Sequence, residues 1–425
     1  VTLLIAGGGI GGLTAALSLH AEGIEDVRVL EAVPEIRPLG VGLNVLPNAV
    51  KELDELGLLP RLADVSVATG DLGYYNRHGQ LIWREPRGLA AGHRWPQLSI
   101  HRGRLQAVLA DAVRERLGPD AVVTDTRVVD VIHTASGVRV TARHPVAGTT
   151  SRVDAEGLIG ADGIRSAVRA VLGPGEGPPP WNGLVVWRGT AWVPPFLDGR
   201  SMVIAGDDRS RAVVYPMSAA DERGRVLMNW AVAKAAEPGA AFEDADWNRS
   251  VEPESFVGHF AHLAFDWLDV PAVIRTATEA YIYPMVDRDP LPRWSHGAVT
   301  LIGDAAHAMY PMGSNGATQS IVDARVLAAH LARHSEVAEA FAAYEAERLP
   351  VLTRLQHSTR RRGPEIVIDL AHERAPGGFS DVREVFPGTE LEDISANFAR
   401  LGGFDPRTVN TMTPPGAAAG AGARR

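Results

Sequence analysis

Short apolar runs that end at glycine or at an acid alternate, along this chain, with stretches whose apolar residues recur every three or four positions. Val1–Ala6 (VTLLIA) is the first such run and has the pattern of a strand buried on both faces. Beyond Gly7-Gly8-Gly9, the residues Ile10, Leu13, Leu17 and Leu19 fall largely at helical spacing up to Gly23, and a second strand, Val27–Leu30, ends at Glu31. Strand, glycine turn, helix and strand predict a βαβ unit. Further helices are predicted over Asn48–Leu56, stopped by Gly57, and over Arg104–Arg116, with Leu105, Val108, Leu109 and Ala112 on its apolar side. From Trp181 to Ile282 the texture changes to alternation: Gly183–Trp187, Ser201–Ile204, Arg211–Tyr215 and Arg225–Val232 predict an antiparallel sheet. Ala298–Ile302 returns to the buried-strand pattern, and Gly316–His334 reads as a helix with Ile321, Ala324, Leu327, Ala328 and Leu331 facing inward. Pro174–Pro180 looks like a crossing between domains, and Pro414–Arg425 is low-complexity and expected to be mobile.

Composition narrows the chemistry. The 425 residues suffice for two or three structural units and carry a formal charge of −9, which argues against a nucleic-acid partner. No apolar stretch reaches the ~18 residues that a membrane span needs. Val1–Ala6 is too short for a secretion signal and lacks a basic leader, so a cytoplasmic enzyme is expected. The absence of Cys removes disulfides, thiolate metal sites, iron–sulfur clusters and thiol relays together. Neither HExxH nor any other compact ligand spacing occurs, so no metal is expected.

Gly7-x-Gly9-x-x-Gly12 stands between the first strand and the first helix, where a pyrophosphate would meet the helix N-terminus. Glu31, nineteen residues beyond Gly12 at the end of the second strand, is placed to accept hydrogen bonds from an adenosine ribose. This unit alone does not choose between FAD and NAD(P). In Leu301–Ala317 (LIGDAAHAMYPMGSNGA), Asp304 at a strand end suits sugar-like hydroxyls, and the helix start at Gly316 offers N–H groups to an electron-rich ring. A plain helix N-cap is the alternative for Asp304. In Gly160–Arg169 (GADGIRSAVR), a common Asp-Gly turn with Ser166 as a cap is the alternative for Asp162.

Taken as a set, GGGIGGL, GADGIRSAVR and GDAAHAMYPMGSNGA resemble the three fingerprints of the single-component FAD-dependent aromatic hydroxylases of para-hydroxybenzoate hydroxylase-like fold. Order and spacing match as far as about Arg348. Ile36–Val50, Pro96–Leu109 and Tyr283–Trp294 are similar to the branch of that family that contains 5-methylphenazine-1-carboxylate 1-monooxygenase, a phenazine hydroxylase of secondary metabolism. The resemblance implies an α/β fold: a Rossmann-like FAD-binding domain (1–72, 97–180 and 281–335), an inserted antiparallel-sheet substrate domain (73–96 and 181–280), a C-terminal helical region (336–413) and a tail (414–425).

It also implies roles. Gly7, Gly9, Ile10 and Gly12 would hold the pyrophosphate, and Glu31 the ribose. Val41 and Gly42 would lie beside the ribityl chain and ring, and Arg102 would contact the cofactor. Asp162 would serve both FAD and NAD(P)H, Asp304 the ribitol, and Asn315 and Gly316 the flavin. The resemblance further implies that NAD(P)H would reduce FAD, that O2 would add at flavin C4a, and that the hydroperoxide would deliver oxygen to an aromatic or heteroaromatic ring, with or without loss of a carboxyl group. The flavin carries the chemistry, so no catalytic protein base is assigned. Trp187, Tyr215, Met217, Met285 and Met309 are candidates for the substrate wall, with ordinary core packing as the alternative for each. Arg188 or Arg211 is a candidate partner for a substrate carboxylate. N-oxygenation or epoxidation, a flavoprotein oxidase, and a non-catalytic flavin sensor are the rival functions; the oligomer is a monomer or a homodimer.

Overall fold

A computed structural model describes residues 2–237, 249–277 and 279–412, so the tail at 414–425 lies outside the described residues. The chain opens with β1 (Leu3–Ala6), α1 (Ile10–Ala21) and β2 (Val27–Leu30), followed by β3 (Gly42–Val45) and α2 (Pro47–Glu55). Then come β4 (Leu98–His101), α3 (Arg102–Leu117), β5 (Gly157–Gly160) and α4 (Ala167–Leu172). Four long strands follow: β6 (Trp181–Val193), β7 (Ser201–Gly206), β8 (Ser210–Pro216) and β9 (Val226–Ala235). After β10 (Glu279–Val286) and β11 (Val299–Leu301), the helices α5 (Asp304–His307), α6 (Asn315–Leu331), α7 (Val337–Arg360) and α8 (Ile366–Arg374) lead to the C-terminal region.

The apolar runs become a parallel sheet in the order β11-β5-β1-β2, with Val122–Val123 at its edge. Leu3, Leu4 and Ile5 are fully buried, with α1 packed against β1 and β2 and α7 against β11. Burying each such side chain contributes roughly 1.5–3 kcal/mol, which is why the unbroken apolar pattern is legible as a strand. The alternating runs form an eight-stranded sheet, Arg249–Ser250, β10, β6, β9, β8, β7, Asp71–Asn76 and Leu81–Pro86. All its pairs are antiparallel except β7 with Asp71–Asn76. This is the α/β architecture expected, with the large sheet inserted and helices at the C-terminus.

Two details differ from the sequence reading. The strand β10 straddles the domain boundary read at residue 281 and pairs with β6 along Thr190↔Glu279 to Trp181↔Val286, so the chain leaves the large sheet only after Val286. A three-stranded antiparallel sheet, Arg127–Thr134, Gly137–His144 and Thr149–Ala155, was not foreseen, although Val128, Val131, Val138 and Val140 are its buried positions.

The large sheet has two different faces. Trp230, Val214, Val203 and Val232 pack against Phe256, Phe260 and Ile274 on the outer face. Tyr215, Met217, Met202 and Ile204 occupy the inner face, against Val367, Ile368 and Ala371 of α8. Among the described residues, no helix is long and apolar enough to cross a membrane.

Candidate active site

The glycine turn carries three different constraints. Gly7 has φ +103°, and a Cβ there would stand 2.5 Å from the Ala161 carbonyl oxygen and 2.9 Å from Asp162 Cα, so the turn presses directly on the loop after β5. A Cβ on Gly12 would overlap the Gly7 carbonyl oxygen. At Gly9, the N-cap of α1, nothing lies within 4 Å of the Cβ position, which leaves the helix N-terminus open to an anion. Above the turn, Glu31 accepts the Gly8 N–H at 2.6 Å and the Val33 N–H at 2.9 Å. Gln106 of α3 donates to the Gly8 carbonyl at 2.7 Å, a support that the sequence reading missed.

The other two fingerprints are tied to each other by arginines. Asp162 accepts hydrogen bonds from the Ser166 hydroxyl and from the Ala167 N–H at 2.7 Å, so its side chain caps α4. Burial raises its pKa in spite of those bonds. Arg169, 1% exposed, donates to the Ala305 and Ala306 carbonyls at 3.1 and 2.9 Å and to the Asp289 carbonyl at 2.9 Å, and it pairs with Glu176. Arg288 donates to the Ile164 carbonyl at 3.0 Å and to the Gly177 carbonyl at 2.6 Å. Three segments far apart in sequence are thereby held together.

Asp304 begins α5 after Gly303 (φ +59°); its carboxylate is exposed and accepts no hydrogen bond among the described residues. Its Oδ1 lies 4.0 Å from the Cβ position of Gly316, in the first turn of α6. Ser314, which precedes that helix, is held at φ +60°, a conformation costing of order 1 kcal/mol for a residue with a side chain. Behind Asp304, the buried Asp323 meets His307 Nε2 at 2.5 Å and Arg348 Nε at 2.8 Å. Burial pushes the Asp323 carboxyl up, but these two partners outweigh it and hold it at about 2.

Gly42, at the start of β3, touches the inner face of the large sheet. A Cβ there would stand 2.6 Å from Met217 Sδ and 2.7 Å from Asn229 Cβ. The Gly42 N–H donates to Asn229 Oδ1 at 2.8 Å, and Arg188 Nη2 donates to the Gly42 carbonyl at 3.0 Å. Arg188 Nε is buried without a partner. Its charge is felt by Tyr215 and Tyr283, whose pKa values burial raises and Arg188 pulls back; Arg102 also acts on Tyr283. Arg102 is exposed, with its N–H on the Val41 carbonyl at 3.0 Å. Asn229, a polar side chain 1% exposed in the apolar strand β9, was the signal that sequence reasoning passed over.

Of the five wall candidates, Tyr215 and Met217 lie on the inner face, near Gly42 and Arg188. Met285 packs in a neighbouring cluster with Val186, Tyr310 and Met312. Met309 packs against the nucleotide core instead. Trp187 must be corrected: it points to the outer face, stacked on Phe256 at 5.2 Å and edge-on to Phe260 at 5.8 Å. Strand alternation puts it opposite its neighbours Val186 and Arg188. Of the two arginines, Arg211 is paired with Asp369 at 2.5 Å and Glu365 at 3.3 Å, whereas Arg188 reaches Gly42. Asp207, Asp208 and His372 lie close enough to share an ion, but Asp207 already takes the Arg209 and Ser210 N–H groups and pairs with Arg77 at 3.3 Å.

Beside the inner face opens a cavity of about 520 Å³, bounded by Asn182 and Leu184 of β6, Asp287, Tyr310 and Met312, by Arg360 at the end of α7 and by Arg362 just beyond it. A pocket of this size holds a small organic ligand.

An open helix N-terminus over a glycine turn, a free acid facing a second helix N-terminus and a pocket against a sheet define a flavoprotein that oxidises small molecules. Residues 1–359 match the family described as FAD binding domain, and the chain belongs to that family. It is similar to phenazine 1,6-dicarboxylic acid hydroxylase PhzS of Lysobacter antibioticus, 49% identical over 363 residues covering 85% of this chain and 89% of that protein. Aurachin C monooxygenase/isomerase of Stigmatella aurantiaca is 32% identical, covering 82% of this chain and 85% of the other. The crystal structure of Klebsiella pneumoniae HpxO complexed with FAD and uric acid is 25% identical, with a TM-score of 0.73, covering 94% of this chain and 96% of that one. The chain is an FAD-dependent monooxygenase that hydroxylates an aromatic small molecule with NAD(P)H and O2.

Proposed function

We propose that the substrate is a phenazine-like carboxylic acid, hydroxylated on the inner face of the large sheet with or without loss of its carboxyl group. The observation that carries this is Arg188: a half-buried side chain whose buried Nε has no partner, beside Gly42 and between the environments of Tyr215 and Tyr283. A buried unpaired donor costs about 1–3 kcal/mol, and a carboxylate supplies the missing acceptor. Met217 and Tyr215 offer a flat, apolar wall to an aromatic ring. The similarity to a phenazine dicarboxylic acid hydroxylase supports the same substrate class.

When bound, FAD supplies the redox and oxygen-activating chemistry. The residues present fit it: the N–H groups of the α1 turn at Gly9 and Ile10 bind the pyrophosphate, and Glu31 keeps lone pairs for the ribose. Asp304 accepts from the ribityl hydroxyls. The α6 N-terminus at Asn315 and Gly316 would orient the ring, Val41 and Gly42 would lie beside it, and Arg102 would contact the cofactor. Asp162, as a cap of α4, acts on the cofactor by placing the loop against Gly7. We read the enzyme as cytoplasmic, a monomer or homodimer, without nucleic-acid or membrane partners; the charge of −9 and the lack of Cys support this.

NAD(P)H oxidation across phenazine, quinoline, indole and hydroxybenzoate acids, with product mass under labelled O2, tests the reading. Phenazine carboxylates should stimulate most, and the product should gain one labelled oxygen. Bleaching of the flavin by the aromatic alone, without NAD(P)H or O2, would overturn it.

A further inference from the structure

Asn315, Gln319 and Asp323 stand four residues apart on one side of α6, all three buried, and so form a polar row inside the molecule. Arg348 of α7, itself buried, joins two of them: its Nε donates to Asp323 Oδ1 at 2.8 Å and its Nη2 to Gln319 Oε1 at 2.7 Å. Gln319 Nε2 donates in turn to Asn315 Oδ1 at 3.0 Å and to the Gly402 carbonyl at 2.8 Å. At one end of the row Asp323 Oδ2 accepts the Gly303 N–H at 3.1 Å, one residue before Asp304. At the other, Asn315 Nδ2 donates to the Gly313 carbonyl at 3.0 Å, inside a turn where Gly313 and Ser314 have φ +71° and +60°. Apolar side chains of similar volume would join α6 to α7 equally well, so packing alone does not account for the row. A turn with a side-chain residue at positive φ persists where its surroundings over-determine it, and the row supplies that constraint.

We propose that Gln319, anchored by Arg348, is a positioning residue for the flavin ring: acting through Asn315, it fixes the Gly313–Ser314 turn and with it the direction of the first N–H groups of α6. The inference rests on the proposed placement of the ring at that helix N-terminus. Hydrogen bonds and dipoles aimed at a flavin tune its electronics, and they count most for the reduced ring, which carries the greater negative charge. The row therefore favours reduced over oxidised cofactor. It does so from inside the protein, between the peptide that precedes Asp304 and the turn that precedes Asn315.

The test is the midpoint potential of bound FAD, with the Kd of oxidised FAD and the urea midpoint measured alongside, in wild type, Gln319→Met, Asn315→Ala and the double variant. Gln319→Met removes the hydrogen bonds at nearly constant volume and alters no charge, so a shift does not come from a lost charge. Asn315→Ala places a good helix former in the first turn and keeps the test open if Gln319→Met does not fold. Each single variant should lower the preference for reduced over oxidised FAD by about ten-fold, which is about 30 mV more negative for a two-electron couple. Oxidised FAD should bind within about three-fold of wild type. The double variant should shift no further than either single one, because both break the same chain of hydrogen bonds. A potential that stays within about two-fold of wild type while the urea midpoint falls would overturn the inference, as would shifts that add in the double variant or equal weakening of both redox forms. The hydroxylase reading is judged separately, by whether aromatic acids accelerate NAD(P)H oxidation by the wild type.

Discussion

The nucleotide half and the substrate half of this molecule place their functional groups by different means. In the first, most of the groups proposed to meet the cofactor are backbone N–H groups, at Gly9 and in the first turn of α6, and the glycines matter by the side chains they lack. In the second, they are side chains on alternate positions of long strands: Arg188, Tyr215, Met217 and Asn229 on one face, with Trp187 and Trp230 on the other. A backbone site tolerates almost no change at its glycines and much change elsewhere. A strand-face site is redefined by any residue that changes which side points inward.

The comparison is broken first at Gly12. A Val there has no room beside the Gly7 carbonyl, so Gly12→Val should yield no FAD-loaded protein, measured as the flavin-to-protein absorbance ratio. If Gly12→Val still bound FAD, the backbone account of the first half would fall. Next is Arg169→Met, which strips donors from two carbonyls of α5 and leaves Glu176 with only Arg288, 3.8 Å away. A loss of about 3–5 kcal/mol in urea unfolding is expected, because breaking a buried ion pair strands its other members.

Acid should loosen the same half before the other. Asp323 has a folded pKa of about 2, below its ordinary 3.8. Its contribution is therefore fully present above pH ~4 and is lost as the pH falls through 4 towards about 2; that range is worth about 2 kcal/mol. Asp323→Asn should be destabilised at neutral pH and flatter in acid, by urea midpoints against pH. A steeper acid loss in the variant would contradict the assignment. A smaller effect follows at Asp304: removal of an exposed carboxylate with no protein partner should leave the fold intact and weaken FAD by about ten-fold.

How much was readable in advance follows the same division. Val1–Ala6 and Val27–Leu30 announce themselves because strands buried on both faces are unbroken apolar runs, and glycine spacing reports a backbone shape directly. The roles of Arg169 and Arg288 were not readable, since their acceptors are carbonyls of segments more than a hundred residues away, and a carbonyl has no sequence signature. Asp162 shows the limit in the other direction: the motif was recognised, but not that its side chain also accepts from the first N–H groups of α4. On the large sheet, alternation located the strands but gave no sign of which parity faces the cofactor. That parity is set by contacts such as Gly42 with Asn229, made across 187 residues.

Trp187 gives the smallest effect and the sharpest test of that parity. If it lined the substrate, Trp187→Phe would remove part of an aromatic wall and shift KM for the aromatic several-fold, with a change in the fraction of NAD(P)H oxidation coupled to product. With the indole instead stacked on Phe256 and edge-on to Phe260 on the outer face, the substitution keeps an aromatic ring in an apolar cluster and changes only its size. Swaps of that kind within a core cost on the order of 1 kcal/mol. The expected result is a small loss in urea midpoint with KM and coupling within about two-fold of wild type, a free-energy difference of only a few tenths of a kcal/mol. Met217→Ala supplies the contrast from the inner face, where the same measurements should move in the opposite proportion: a clear change in KM and coupling, because its sulfur stands against Gly42. Were Trp187 to move KM and Met217 not, the two faces of the sheet would have to be exchanged.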